Sequence, residues 1–561
     1  MEFLSAINDI LWHPIVLFTL LGVGVLFTVW TAFGQFRALT HGVAVVRGKY
    51  DKPDDPGAIS HFQALSAALS ATVGLGNIGG VALAIAIGGP GAIFWMWVVG
   101  FFGMAIKMSE VSMSMLYRNT DNPDNPHGGP MWVAKHGMKK WGLGWLGVTL
   151  GGIFCVTLLI SAITGGNMFQ AWNVGNLTQE YFGVDPVVTG VLLAVIVGAV
   201  ILGGIKRIGS VAGKLVPFMC VLYVLMGLVV LTMKIDLIPE MIGLIFTSAF
   251  SPTEASGAFV GGTMGMAFMM GMKRALFSNE AGQGSAPIAH AAAKTNEPIR
   301  EGVVAGLEPF IDTIVVCTLT ALVIMVSGAW NRGPDGAYEA DQVFMERADE
   351  GWQIRTPPLP DHATGAWESG NGEAFMLVDV PVEGEDGAKT MQRQRVSGSV
   401  EIQSGSEGDL YVVTWAPIES AEDAAPIIVD RGVYEELPGA NLTSFAFDSV
   451  IPSSGKWIVT LAAWLFAIST MISWSYYGEQ GIHFLLGTWA VFPYKMIFCA
   501  LIIVSCMGFI TTDAALDALT GLGTGVMLFA NIPIMLIFGA ITMKAYHAYM
   551  RKLRDGEFEK K

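Results

Sequence analysis

Stretches of apolar residues long enough to cross a lipid bilayer recur along this chain, separated by short polar connections. A hydrocarbon core about 30 Å thick takes roughly 20 residues of helix. Eleven runs of that kind lie near residues 13–33, 60–88, 91–117, 146–170, 186–204, 214–233, 256–281, 302–330, 456–478, 493–512 and 519–546. They predict an all-α polytopic membrane protein of about 11 transmembrane helices. The pattern changes once. Between the eighth and ninth runs, residues 374–382, 394–402, 409–415 and 426–434 are short β-favouring segments set between Gly, Pro and acidic turns. They predict a small β-rich module rather than a flexible loop.

Two apolar runs are unlike the rest. The second contains Thr72-Val73-Gly74-Leu75-Gly76-Asn77-Ile78-Gly79-Gly80 in mid-membrane. The seventh runs through Gly261-Gly262-Thr263-Met264-Gly265 to Phe277-Ser278-Asn279-Glu280-Ala281-Gly282-Gln283-Gly284-Ser285. Paired Gly-interrupted helices in corresponding positions of two halves point to an inverted-repeat transporter with a midplane binding site. The expected division is an N-terminal helix and loop over 1–59, a first repeat over 60–233 and the start of a second over 234–330. An insert over 331–450, the end of the second repeat over 451–548 and a tail over 549–561 complete it.

Composition agrees with lipid as the solvent. The chain is 52% hydrophobic and 14% charged, with 68 Gly, and its mean hydropathy is +0.52. The net charge of −15 is local, because residues 331–440 hold 22 acidic and 7 basic side chains and the remainder is neutral. The acidity therefore marks the insert and gives no reason to expect a nucleic-acid partner. Basic residues cluster at Arg37, Arg47, Lys49 and Lys52, at Arg118, Lys135, Lys139 and Lys140, at Lys206, Arg207 and Lys214, and in the tail. The positive-inside rule then puts the C-terminus in the cytoplasm and the N-terminus and insert outside, in a multi-pass protein of the cell inner membrane surrounded by lipid. The five cysteines lack metal or disulfide spacing and read as packing residues.

Gly74-Leu75-Gly76-Asn77-Ile78-Gly79 matches GxGxxG formally, but the strand and soluble βαβ context of a dinucleotide site are missing. Its glycines either allow close helix packing or mark an unwound segment. If the helix breaks, a half-helix starting near Gly76 offers free N–H groups to a carboxylate, and freed carbonyls suit a cation. A zwitterion and Na⁺ can then bind without a fixed Arg. Hard cations take oxygen ligands, for which Ser469-Thr470 is a candidate pair, although adjacent Ser and Thr also bond back to their own helix. Asp312 lies inside the eighth run and is the better candidate for ion coupling, whereas Glu280 reads as structural or gating. No Walker motif, catalytic pair or cofactor motif is present, so catalysis is not expected and uptake must draw on an ion gradient.

The runs around Gly74, Gly88-Gly89-Pro90-Gly91-Ala92-Ile93-Phe94-Trp95-Met96-Trp97, Gly128-Gly129-Pro130-Met131, Phe277 to Pro287 and Trp474-Ser475-Tyr476-Tyr477-Gly478-Glu479 together resemble the alanine or glycine:cation symporter family. The resemblance covers nearly the whole chain outside the insert, which is larger than the family's usual connection. It implies a leucine-transporter-type fold of five plus five inverted spans with one added N-terminal helix, and sodium-coupled uptake of small neutral amino acids, alanine or glycine. It further implies Thr72, Gly76 and Asn77 at the substrate, Gln170 reaching the pocket from the fourth span, Phe277 and Ser278 against the substrate, and Trp474 closing the site. By the same analogy, Ser469 and Thr470 bind sodium with carbonyls near Ser70 and Val73. Proton coupling, or a sensor on a transporter scaffold, are the alternatives.

Overall fold

Helices form where the apolar runs lie. The computed structural model describes residues 2–52, 54–122, 126–250, 264–348, 351–363, 367, 373–383, 389–405, 408–418, 420, 424–437, 439–508 and 513–558. Its principal helices are α1 (Pro14–Trp30), α2 (His61–Thr72), α3 (Gly79–Gly88), α4 (Gly91–Tyr117), α5 (Gly144–Phe182), α6 (Pro186–Ile201), α7 (Gly204–Met233), α8 (Met264–Asn279), α9 (Pro298–Val326), α10 (Ala440–Val450), α11 (Gly455–Leu486), α12 (Val491–Ser505) and α13 (Asp513–Arg554). Among the described residues seven helices are long and apolar enough to cross a membrane, or nine if each of two bent pairs is one span. This is a multi-pass membrane protein. The number falls short of eleven because α6 and α8 are each 16 residues long. The glycines at 261 and 262 and Thr263, expected in the seventh span, lie outside the described residues.

One bend was not legible in the apolar pattern. Pro14–Trp30 and Gln35–Val46 meet at 65°, through Ala32 and Phe33 with φ of 50° and 57°. The other joins α2 to the helix after it at 61° and is described with the site below.

The insert contains a β-module. Strands β1 (Gly336–Ala337), β2 (Phe344–Ala348), β3 (Gly351–Arg355), β4 (Glu373–Glu383), β5 (Lys389–Gly405), β6 (Gly408–Trp415) and β7 (Ile427–Glu435) form a five-stranded antiparallel sheet, ordered β1-β7-β4-β5-β6, and a separate β2-β3 pair. The four β-favouring segments of the sequence are the four long strands of the sheet. Side chains alternate across it. Ala374, Met376, Val378 and Val380 bury one face with Val396, Val413 and Val433, while Phe375 and Leu377 pack on Tyr434 on the other. The module thus has a hydrophobic core of its own, separate from that of the helices.

The last helix of the stretch 331–450 behaves differently. α10 packs on α3, α9 and α11, and its Thr443 Oγ1 donates to the Ile78 carbonyl at 3.3 Å. It therefore touches the start of α3, where the broken helix resumes.

Candidate functional site at the broken helix

The site is built around the interruption between α2 and α3. Ser60 starts α2 with a capping box: its Oγ accepts the Gln63 N–H at 3.2 Å, and Gln63 Oε1 accepts the Ser60 N–H at 3.1 Å. The helix ends at Thr72. Val73 (φ −75, ψ 92) and Gly74 (φ −139, ψ −161) are extended, one 3-10 turn covers Leu75–Asn77, and α3 begins at Gly79. Unwinding of this kind at membrane depth survives only where the freed groups are satisfied by protein or line a cavity.

Here they do both. Asn77 Oδ1 accepts the Gly74 N–H at 2.8 Å, and Asn77 Nδ2 donates to Asp312 Oδ1 at 2.6 Å and Ser278 Oγ at 3.1 Å. Asp312 Oδ2 in turn accepts from Ser278 Oγ at 2.6 Å and Thr313 Oγ1 at 2.9 Å. Asp312 sits in a π-helical turn, Phe310–Cys317, an irregularity frequent at functional sites. Asn77, Ser278 and Asp312 therefore face one another behind the break, all three buried, and none of them lines the cavity in front of it.

The cavity walls come from five elements. The broken segment supplies Ala71, Thr72, Gly74 and Gly76; α5 supplies Ser161, Gly165 and Gln170; α8 and the turn after it supply Phe277, Glu280 and Gln283; α11 supplies Thr470 and Trp474; and α13 supplies Thr524. A second π-helical turn, Thr164–Met168, displaces α5 next to Gln170. Its Gly166 is required by space, because a Cβ there would lie 2.4 Å from the Trp474 ring. The centre of a water-sized sphere has about 20 Å³ of room in the cavity, and a single water needs about 10–15 Å³. Only the smallest occupants fit without movement of the walls.

Two polar atoms aim into this space. Gln170 Nε2 donates to the Gly165 carbonyl at 3.1 Å, but Gln170 Oε1 is buried with no hydrogen-bond partner among the described residues. Thr470 Oγ1 is likewise buried and unpartnered, and it would lie 2.7 Å from a Cβ placed on Gly74. Buried polar atoms are almost always bonded, so two orphans in one cavity suit a polar occupant.

Four of the five residues expected at the cation gather where α2 meets α11. Ser70 Oγ donates to the Ser469 carbonyl at 2.6 Å, Val73 ends the same helix as Ser70, and Thr470 follows Ser469. Ser469 Oγ bonds back to the Phe466 carbonyl at 2.9 Å, whereas the Thr470 hydroxyl does not. Asp312, the fifth, belongs instead to the cluster with Asn77.

Glu280 stands in the cavity wall. Its carboxylate lines the cavity, held by Ser285 Oγ at 2.5 Å, on backbone with φ of 55°. Gln283, Ser161 and Thr524 were not singled out as site residues. The signal for Thr524 is the run Thr520-Gly521-Leu522-Gly523-Thr524-Gly525, a second Gly-alternating stretch that lets α13 approach α5: a Cβ on Gly523 would lie 2.6 Å from Thr164 Oγ1.

The profile of the sodium:alanine symporter family matches residues 1–349 and 421–561. The chain belongs to that family. The unmatched residues, 350–420, fall in the β-module. The sodium/alanine symporter AgcS of Methanococcus maripaludis is 35% identical over 560 residues, covering 99% of both chains. The putative sodium/proton-dependent alanine carrier protein YrbD of Bacillus subtilis is 30% identical over 561 residues, covering 99% of this chain and 93% of its own. The solved structure of MhsT in complex with L-phenylalanine aligns over 86% of this chain and 89% of that one, at 12% identity and a TM-score of 0.49. The broken helix, Phe277 and Trp474 thus stand in a member of the sodium:alanine symporter family.

Proposed function

We propose that this protein takes up small neutral amino acids, alanine or glycine, with sodium, by alternating access around the cavity at the α2–α3 break. The observation that carries the reading is the convergence there of an unwound backbone, the unpartnered Thr470 hydroxyl and the unpartnered Gln170 oxygen, in a chain matched end to end by a sodium/alanine symporter. The backbone N–H of Gly76, just before the positive end of α3, receives the substrate carboxylate, and Asn77 fixes that turn by donating its own N–H to the Gly74 carbonyl at 3.0 Å. Phe277 and Trp474 bound its side chain, with Thr72 and Gln170 beside it. Sodium binds where α2 meets α11, through the Thr470 and Ser469 hydroxyls and backbone carbonyls near Ser70 and Val73, since hard cations take oxygen ligands. Asn77, Ser278 and Asp312 hold the break open from behind.

In this reading the spans form two inverted sets of five with α1 added, the basic loops and the C-terminus face the cytoplasm of the inner membrane, and the β-module lies outside. The small cavity is an occluded form, and the walls part toward either side to load or release substrate. The test is uptake of labelled alanine and glycine into proteoliposomes. Accumulation that requires an inward sodium gradient is expected; binding without accumulation under any ion gradient points to a sensor and refutes transport.

A further inference from the structure

A second set of buried charged groups has no part in the binding just described. His61 at the start of α2, Lys107 and Glu110 of α4, His290 of the short helix Ala286–His290, and Glu301 and Glu308 of α9 are all buried. They form one line. His61 Nδ1 is hydrogen-bonded to Glu301 Oε2; Glu301 Oε1 meets His290 Nδ1 at 2.5 Å; His290 Nε2 meets Glu308 Oε1 at 2.6 Å; and Glu308 Oε2 lies 3.3 Å from Lys107 Nζ. At one end His61 Nε2 lies 3.9 Å from Asp51 Oδ1, whose side chain is 48% exposed.

The other end approaches the turn that carries Glu280. Lys107 Nζ lies 3.9 Å from Glu110 Oε1, and Asn531 Nδ2 donates both to Glu110 Oε2 at 3.1 Å and to the Gly282 carbonyl at 2.8 Å. Gly282 is in the turn that carries Glu280, a wall of the cavity. Glu280 is faced by Lys107 and Glu110 of α4, by Glu308 and Asp312 of α9 and by Tyr477 of α11. Tyr477 Oη and Glu110 Oε1 are buried with no hydrogen-bond partner among the described residues, which is the setting in which buried water makes its bonds. Near the Asp51 end, Arg118, the C-cap of α4, faces Glu301 and Asp55 and donates to the carbonyls of Pro56, Ala291, Ala293 and Thr295.

Packing alone does not call for such a line, because buried ion pairs roughly break even against apolar residues of the same volume. Carboxylates alternating with imidazoles are, by contrast, what a moving proton requires, since an imidazole accepts on one nitrogen and releases from the other. We propose that Glu308, His290, Glu301 and His61 are a proton path between Glu280 in the cavity and the membrane face that carries Asp51, so that each transport cycle also moves a proton. The proposal rests on the reading of the cavity as the amino-acid site. Glu280 takes a proton from the outer solution while the cavity is open to that side, and gives it through water beside Tyr477 to the Glu308 carboxylate. His290 takes a proton on Nε2 and releases the one on Nδ1 to Glu301, and His61 takes it on Nδ1 and releases the Nε2 proton to Asp51 and solvent. Each step breaks one O–H or N–H bond and makes one. Lys107 keeps its charge and offsets the carboxylates around it.

The test uses the full chain in proteoliposomes with a trapped pH-sensitive dye, following labelled alanine uptake and the dye together under an inward sodium gradient. Wild type is expected to move protons in step with alanine, and His290→Gln and His61→Gln are expected to lose the dye response. Uptake by wild type with no dye response overturns the path and leaves the proposed function standing, whatever the variants do. An unchanged proton-to-alanine ratio in a variant that still transports overturns the path as well. Absence of wild-type uptake in any gradient overturns the underlying reading, and the path with it.

Discussion

Asn77 joins both sides of the broken helix to Asp312. Its Oδ1 accepts the Gly74 N–H at 2.8 Å across the break, and its Nδ2 donates to Asp312 Oδ1 at 2.6 Å on α9. One amide thus satisfies a freed backbone donor and a buried carboxylate at once, and it couples the shape of the break to the π-helical turn of α9. Replacing Asn77 with Ala strands the Gly74 N–H and one carboxylate oxygen, Asp312 Oδ1, while Oδ2 keeps Ser278 and Thr313. A buried group stranded in this way costs about 1–3 kcal/mol, so Asn77→Ala is expected to lower thermal stability and to lose transport. Because the two residues touch, Asn77→Ala and Asp312→Ala are expected to be non-additive in a double-mutant cycle read by thermal unfolding; additive effects would show that the contact carries no energy.

The helix glycines differ sharply in what surrounds them. A Cβ on Gly166 would meet the Trp474 ring at 2.4 Å, whereas one on Gly22 in α1 would meet nothing within 4 Å. Overpacking of this kind costs about 1–3 kcal/mol. Gly166→Ala is expected to destabilise the protein and depress alanine uptake, and Gly22→Ala to do neither. Equal behaviour of the two variants in uptake and thermal unfolding would contradict the placement of Trp474.

In the proposed function Phe277 and its neighbours limit substrate size. The ring stands against the backbone at Gly76, where a Cβ would come within 3.1 Å of it, and packs edge-on against Phe169 with centroids 5.4 Å apart. Shortening it to alanine opens room beside the unwound backbone at Gly76. In a pocket of this kind one methylene is worth about 1–3 kcal/mol, so Phe277→Ala is expected to weaken competition by glycine and alanine and to strengthen competition by valine or leucine. Competition assays against labelled alanine that keep the wild-type order would refute the wall.

The β-module and the helices have separate cores, and their stabilities should separate too. Met376 is fully buried at the centre of the sheet. Truncation of such a residue costs about 2–5 kcal/mol. Met376→Ala is expected to raise hydrogen exchange across residues 373–435 while sodium-driven uptake continues. Loss of uptake in step with loss of protection would instead tie the module to the broken helix through α10.

What the sequence displayed were the local features. The break at Gly74 is legible because Gly-x-Gly-Asn interrupts an apolar run, and strands β4 to β7 because short β-favouring segments stand between acidic turns. Thr72, Gly76, Gln170, Phe277 and Trp474 reach the cavity from within motifs that are themselves unusual. The hidden features depend on contacts between distant positions. Asn77 finds Asp312 across 235 residues, so nothing near Asn77 shows that its side chain turns away from the cavity. Glu280 lines the cavity on backbone of positive φ, which its neighbours in sequence do not announce. α10 falls within the insert expected over 331–450, yet packs with the membrane helices through Thr443 and its apolar face.

The most direct measurement is alanine binding to purified protein across a sodium titration, in wild type and Thr470→Ala. If the two ligands share the break through Thr470 and Gly74, sodium raises wild-type alanine affinity by about 5–150-fold, the usual span of such coupling, and alanine raises sodium affinity by the same factor. Thr470→Ala is expected to abolish that dependence. Alanine affinity that is the same with and without sodium would contradict coupled binding at the broken helix.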